Sequence, residues 1–364
     1  MRKRTKTIML LVTYKCNLHC SYCYEPKQTF HQMNVNKMKE YIIAQYDKLG
    51  DDYDSFEIQF MGGEPLIVFP MIKEVSEWLW QFPFEKELKV LFAPTNGTLL
   101  NDEMKQWLVT NKNRFCLGLS FDGDFSMQNT NRSDSFRNVD IEFFSNTWPD
   151  QSVKMTISPQ TIAKLADGVS FLFNAGFRDV VADLAVGESV HWDARHLNIL
   201  KCQLDSLIDL VIQNPEDSHF SLLDISIEEI LSNVKDSKAC SCGEDFICID
   251  IDGKEYACHL FAPIACDPQK ANESREINFT NHNLFCSDKC DKCLLKGICK
   301  RCAGMNYIST GNVAEPDAFQ CKAFKIIFLA NCKLQYLLAT NKNDTNRIQL
   351  IEKITESLSV NKKD

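Results

Sequence analysis

Cysteine is the residue type in this chain best suited to chemistry. There are 17 among 364 residues, and their placement is uneven. Cys16, Cys20 and Cys23 crowd near the start, and only Cys116 and Cys202 fall between Pro26 and Ala239. Twelve follow between Cys240 and Cys332. A buried structural cysteine acts as a small apolar residue and has no reason to cluster; Cys116 and Cys202 read as such core residues. Clustered thiols without an export signal fit a reducing compartment, the cytoplasm, and read as metal ligands rather than disulfides. Cys16-Asn-Leu-His-Cys20-Ser-Tyr-Cys23 has three thiols at a spacing that can take three irons of a cubane cluster and leave the fourth open. Zinc with His19 as fourth ligand, or three unliganded thiols, are the blander readings.

These residues need a frame, and the N-terminal half alternates strand-like with helix-like segments. Strands are expected at Lys6–Thr13, Ser55–Phe60, Leu88–Thr95, Phe115–Phe121, Val153–Ser158 and Asp179–Leu184. Helical faces run through Met38, Tyr41, Ile42, Gln45 and Leu49, stopped at Gly50, and through Ile162, Leu165, Ala166, Val169, Leu172 and Phe173, stopped at Gly176. Another carries Leu197, Leu200, Leu204, Leu207, Ile208 and Val211, closed by Pro215. Such repetition means parallel strands with crossover helices, an α/β fold. Six units fit before residue 215, fewer than the eight of a closed barrel, so an open sheet or partial barrel follows. From Phe324 onward the tail reads as two helices, the second near Asn346–Leu358. The expected division is 1–215, a connecting segment 216–237, a Cys-rich module 238–332 and a helical tail 333–364.

Ligand sites in parallel sheets form beyond the carboxyl ends of the strands, which is where the first cysteine loop falls. Small or polar turns follow the next strands: Gly62-Gly63-Glu64-Pro65, Thr95-Asn96-Gly97 and Ser120-Phe121-Asp122-Gly123. Each alone is an ordinary turn, but together they line one mouth. Glycine there lets backbone approach a ligand closely, and Glu64 offers a carboxylate to a cationic group.

The combination of Cys16, Cys20 and Cys23 with Tyr24, GGEP at 62–65 and TNG at 95–97 resembles the radical S-adenosylmethionine (radical SAM) superfamily. Over roughly residues 6–215, the resemblance implies a partial (β/α)6 barrel with a 4Fe–4S cluster on the three cysteines. It implies that SAM chelates the open iron, that Gly62, Gly63 and Glu64 hold its amino group, and that Tyr24 packs at its adenine. Asn96 of TNG, Ser120 and the polar strand end at Thr156 and Ser158 join the cofactor-binding set, as does Arg132, for which a surface salt bridge is the bland role. One-electron cleavage of SAM would give a 5′-deoxyadenosyl radical, while the protein positions the substrate and keeps the cavity dry.

A second constellation is C-terminal. FICIDIDGKEYAC reads as a hairpin with Asp252-Gly253 at its turn. The run Cys242-x10-Gly253-x4-Cys258, then Cys290-x2-Cys293-x5-Cys299-x2-Cys302 and Cys321, resembles the SPASM extension of radical SAM enzymes. That resemblance implies two auxiliary 4Fe–4S clusters. Cys242, Cys258 and Cys302 would hold one, with Cys240 a candidate fourth ligand; Cys290, Cys293, Cys299 and Cys321 would hold the other. The interval from Cys299 to Cys302 is x2 where the family usually has x3, and zinc is the alternative for the whole module. Cys248, Cys266, Cys286 and Cys332 match no ligand position and read as structural.

SPASM enzymes mostly modify ribosomal peptides or protein side chains, so the expected function is an oxidative peptide modification such as a thioether or carbon–carbon crosslink. The alternatives are an anaerobic sulfatase-maturing enzyme making formylglycine from Cys or Ser, and a radical SAM dehydrogenase acting on a small molecule. Sulfatase-maturing relatives place an Asp base after the cysteine aligned with Cys258, where this chain has His259, a candidate catalytic proton acceptor. Expected partners are a peptide and a reductant such as flavodoxin or ferredoxin; since only about five residues precede the first strand, either a separate leader-recognition protein selects the peptide or the enzyme binds it directly. Acidic Asp51, Asp52 and Asp54 read as a solvated loop. A net charge of −9 with no Lys/Arg stripe argues against nucleic acid. The longest early apolar run, Ile8–Val12, is too short to span a membrane.

Overall fold

An apolar run that is buried on both faces needs strands on both sides, and the first strand has them. In the computed structural model, residues 4–25, 31–187, 189–213, 218–227, 230, 238 and 240–360 are described, with side chains to 356. Strand β1 (Thr5–Thr13) is buried from Ile8 onward. It runs parallel to β2 (Ser55–Gly62), whose own start pairs with the short β3 (Glu87–Leu88). β4 (Leu91–Thr95) lies on β2, and β5 (Phe115–Leu119) on β4, all parallel. The crossovers include α1 (Val35–Tyr46), α2 (Phe69–Leu79) and α3 (Asp102–Thr110). Asn34 and Asn101 cap α1 and α3 by accepting from Lys37 and Met104 N–H.

The chain divides into two compact units that interleave along the sequence. One holds Met1–Phe121, Arg132–Gln151 and Cys240–Asn281; the other holds Asp122–Asn131, Ser152–Ala239 and His282–Asp364. Within the second unit, α4 (Phe125–Asn131) precedes a parallel sheet of β6 (Val153–Ile157), β7 (Asp179–Leu184) and β8 (His219–Phe220). The first unit also takes in α5 (Ile141–Thr147). Of the expected faces, helix α6 (Leu165–Asn174) buries Leu165, Val169 and Leu172 and helix α7 (Ala194–Gln213) buries Leu200, Leu204, Leu207, Ile208 and Val211, while Ala166, Phe173 and Leu197 are half-buried; α6 gives way to Gly176 at φ 93°.

The C-terminal hairpin joins the N-terminal sheet. β9 (Phe246–Ile249) pairs in parallel with β1, Thr7 opposite Phe246 through Leu10 opposite Ile249, and β10 (Glu255–Tyr256) turns back on β9. The strand order is β10-β9-β1-β2-β4-β5. Gly253 sits at φ 84°, the left-handed turn position that Asp-Gly serves. Short helices α8 (Pro268–Ser274) and α9 (Asp288–Asp291) follow, then α10 (Ala303–Thr310), α11 (Ala318–Asn341) and α12 (Thr345–Val360). In the second unit α11 packs on α7, and its fully buried Asn331 accepts from Ile225 N–H and donates to Leu222 C=O.

The parallel α/β class and the hairpin stand as expected from sequence. The single strand expected at Leu88–Thr95 is two, because the chain leaves the start of β2 at Lys89, whose N–H goes to Phe56 C=O, before rejoining the ladder at Leu91. Cys202 is exposed on α7 rather than a core residue, since the apolar positions of that helix already fill its buried face. Pro215 and the segment 231–237 lie outside the described residues. Among the described residues no helix is long and apolar enough to cross a membrane.

Candidate functional site

β1 ends at Thr13, and the next ten residues carry the three-cysteine loop. The turn after β2 grips that loop by main chain alone: Gly63 N–H donates to Thr13 C=O at 3.0 Å, and Glu64 N–H to Lys15 C=O at 2.9 Å. The approach is so close that a Cβ on Gly62 would lie 2.1 Å from the Thr13 oxygen, and one on Gly63 2.6 Å from that of Lys15. Only glycine fits at either position.

The carboxylate of Glu64, 1 % exposed, is held from below. Oε1 accepts from Thr95 Oγ1 at 2.8 Å and from Leu66 N–H at 3.0 Å, and Oε2 from Asn96 N–H at 2.7 Å. Burial pushes the carboxyl up from its ordinary value, while those donors and the Arg132 guanidinium pull it back. Asn96 continues the chain of contacts: its side chain donates to Asn17 Oδ1 at 3.0 Å and reaches Cys16 Sγ at 4.0 Å. Thus the GGEP and TNG turns both brace the cysteine loop. Its far side is pinned by Ser133, which accepts from His19 N–H at 2.8 Å.

Cys16 and Cys20 are half-buried and Cys23 is exposed as a residue. Burial still raises the thiols, Cys16 to about 11 and Cys23 to about 12, with the charges of Cys20 and Glu25 adding to both and that of Cys16 adding to Cys23. Glu64 raises Cys16 as well. Glu25 itself is pushed up to about 8 by burial and by Glu64. The three thiols and the two carboxylates therefore share one neighbourhood. Such a negative cluster favours a bound cation, which turns thiols into thiolates. Three convergent thiols beside a glycine cradle and an enclosed carboxylate fit an iron–sulfur cluster with one open position. His19 is exposed. Among the described residues, no group of three or more His, Cys, Asp or Glu closes around a single metal ion.

Arg132 is 7 % exposed, its guanidinium 5.5 Å from the Tyr22 ring centroid, so the surface salt bridge is replaced by a buried cation on the Glu64 side of the first unit. Tyr24 accompanies His259: the phenol oxygen and Nε2 are 3.1 Å apart and the rings 6.0 Å. Among the described residues, His259 Nδ1 is shut off from solvent without a hydrogen-bond partner, and burial lowers the imidazole to about 4. Ser120 is half-buried, its N–H on Thr95 C=O.

Thr156 and Ser158 belong to the second unit and serve a buried network there. Ser158 Oγ donates to Asn131 Oδ1 at 2.7 Å, Asn131 donates to Asp122 at 3.0 Å, and Thr156 N–H donates to Asp122 Oδ1 at 3.0 Å. Asp122 and Asn131 are fully buried. Asp122 stood in the turn singled out from sequence, but nothing in a linear reading joins it to Asn131.

Of the C-terminal thiols, Cys242 is buried with Cys240 Sγ 3.3 Å from its sulfur, and Cys258 interacts with the fully buried Cys248. Those four lie in the first unit, whereas Cys302, at the N-terminus of α10, lies in the second. The second unit brings Cys290, Cys293 and Cys321 around Cys299, whose thiol is pushed up to about 12 by burial, with Arg301 opposing and the other three thiols adding. This quartet is the set that the SPASM resemblance implies for one auxiliary cluster. Cys248, Cys266 and Cys332 are buried; Cys286 is half-buried, and so is Cys116, its thiol 3.3 Å from Gln151 Oε1.

Residues 10–187 match the Radical SAM superfamily. A cysteine-type anaerobic sulfatase-maturating enzyme of Clostridium perfringens is 24 % identical over 335 residues, 79 % of this chain and 86 % of that protein. Among solved structures, native anSMEcpe with bound AdoMet superposes with a TM-score of 0.71 at 18 % identity, over 92 % of this chain and 99 % of the other. Streptococcus suis SuiB bound to precursor peptide SuiA gives a TM-score of 0.58 at 14 % identity, over 88 % and 76 %.

Proposed function

The chain contains a radical SAM domain and is an enzyme of that superfamily; on that premise we propose that it reductively cleaves SAM and oxidises a side chain of a peptide. The observation that carries this reading is the convergence of Cys16, Cys20, Cys23 and Glu64 on one braced loop. Cys16, Cys20 and Cys23 would hold a 4Fe–4S cluster, which supplies the electron for SAM cleavage when bound. Gly62 and Gly63, which let the turn close on the cysteine loop, would present their main chain to the donor's amino group, and Glu64 would supply the matching negative charge, with Arg132 behind it. Tyr24, oriented by His259, offers an aromatic face for an adenine. Asn96 and Ser120 complete the proposed binding set in the first unit, and Thr156 and Ser158 in the second. The electron would come from a flavodoxin- or ferredoxin-like donor in the cytoplasm. Its Cys-rich C-terminal region fits the SPASM type, with Cys290, Cys293, Cys299 and Cys321 proposed for one auxiliary cluster. Cys242, Cys258, Cys302 and Cys240 are proposed for the other.

The expectation placed crosslinking of a ribosomal peptide first. The near full-length relative and the fold match favour the alternative, a sulfatase-maturing reaction in which a peptidyl Cys or Ser is oxidised by two electrons to formylglycine. Histidine in place of the relatives' Asp is compatible with that. His259 presents an imidazole whose Nε2 is tied to Tyr24 and whose Nδ1 is unengaged. A neutral ring of this kind can accept a proton.

The test is anaerobic reconstitution with a reductant, SAM and a synthetic peptide bearing a central cysteine, run beside its serine counterpart. Release of 5′-deoxyadenosine with a hydrazine-trappable aldehyde in the peptide is the expected result. Loss of two hydrogens without an aldehyde would return the crosslinking reading, and intact SAM would end both. His259→Ala should lower aldehyde yield by about tenfold to a hundredfold while SAM cleavage without peptide persists, and His259→Asp should restore part of it.

A further inference from the structure

β10 is the end strand of its sheet, and no strand covers its outer side among the described residues. Asp250 N–H donates to Lys254 C=O, and Glu255 and Tyr256 face Ile249 and Cys248 across the hairpin. By the alternation of an antiparallel ladder, Glu255 then turns its main-chain N–H and C=O away from β9. Beside this edge lies a cleft of about 660 Å³, lined by Gly243, Tyr256, Ser274, Arg275 and Phe279 among others.

Two donors that line that cleft take no acceptor from the described residues. Tyr256 is 3 % exposed, yet among the described residues its hydroxyl has no hydrogen-bond partner. A buried hydroxyl left this way is destabilising unless something fills it. Arg275 is exposed, its guanidinium carbon 5.9 Å from the centroid of the Tyr256 ring; no carboxylate pairs with it among the described residues. The acids nearby are otherwise matched: Asp252 by Lys254 at 2.8 Å, and Glu255 by Lys48 and Gln45. Glu276 is the remaining carboxylate on the rim.

We propose that the open edge of β10 binds an extended peptide segment whose carboxylate side chain enters the cleft against Arg275 and Tyr256. Main-chain bonds at Glu255 would add the peptide as a further strand. The period of two would then place alternate side chains on the face that carries Tyr256. A carboxylate there meets a guanidinium and accepts the phenol's proton in a hydrogen bond, a charge-assisted pair of acceptors for two idle donors. The site is separate from the cysteine loop and holds whichever bond the enzyme makes.

The experiment is fluorescence anisotropy with reconstituted holoenzyme, without SAM, using a labelled Val/Thr-rich peptide of about eight residues with one central Glu, and the same peptide with Gln. The Glu peptide should bind about tenfold or more tightly than the Gln peptide, weakening as salt rises. Arg275→Gln should erase the difference, and Tyr256→Phe should reduce it severalfold, both leaving peptide-free SAM cleavage unchanged. Equal binding of the two peptides, no binding of either, or an Arg275→Gln enzyme with unaltered preference would overturn the proposal.

Discussion

Glu64 is enclosed, and each of its oxygens takes a hydrogen bond from a turn that also braces the cysteine loop. Glu64→Ala would strand the Thr95 hydroxyl and the Asn96 N–H in a dry site, destabilising the fold by about 2 kcal/mol. Glu64→Gln keeps the shape and removes the charge. It should fold nearly as well but bind SAM at least about tenfold more weakly, read by equilibrium dialysis. Gly62→Ala tests the cradle itself. With a methyl carbon 2.1 Å from a carbonyl oxygen, the backbone must move. Iron retention on the Cys16 loop should then fall, measured by electron paramagnetic resonance in a background lacking the C-terminal cysteines. Normal retention would show that the close approach is not needed.

At the scale of elements, β8 is held to β7 partly by His219, which lies between Asp179 and Asp224, at 2.7 Å from the latter. Burial lowers its imidazole, but the two carboxylates outweigh that, and the value ends above the ordinary 6.5. A raised folded value stabilises below the unfolded pKa, and the contribution disappears as pH climbs through the folded value. His219→Gln should therefore lower the unfolding midpoint more at pH 5.5 than at pH 8.5. The half-exposed, screened setting keeps the effect to about 1 kcal/mol or less. An equal loss at both pH values would assign the residue a packing role only. The hairpin β9–β10 was legible from its Asp-Gly turn. Its partner was not: parallel pairing with β1, more than 200 residues away, depends on which sheet edge is open.

For the whole molecule, the cysteines carry the largest testable consequence. Three clusters on the proposed ligands would give about twelve irons per chain. Cys299→Ala should remove about four of them while leaving SAM cleavage by the Cys16 loop detectable. A variant that keeps a full complement would show that Cys290, Cys293 and Cys321 are gathered for another reason. The gathering itself is seen in the second unit, where burial raises the Cys299 thiol and the charges of Cys290, Cys293 and Cys321 add to it.

Composition and spacing by themselves determined the parallel α/β class, the cysteine loop beyond the first strand, and the glycine and asparagine turns beside it. These follow from short-range chemistry: apolar periodicity, turn residues and ligand spacing are written locally. Tertiary structure alone decided that Glu64 sits on Thr95 and Asn96, that Tyr24 meets His259, that Arg132 is buried, and that Ser158 belongs to the Asp122–Asn131 network. It likewise left the Tyr256 hydroxyl without a hydrogen-bond partner, and Arg275 without a carboxylate, among the described residues. Each of these depends on which distant segments burial forces together, and hydrogen bonds between such segments leave no period in the chain.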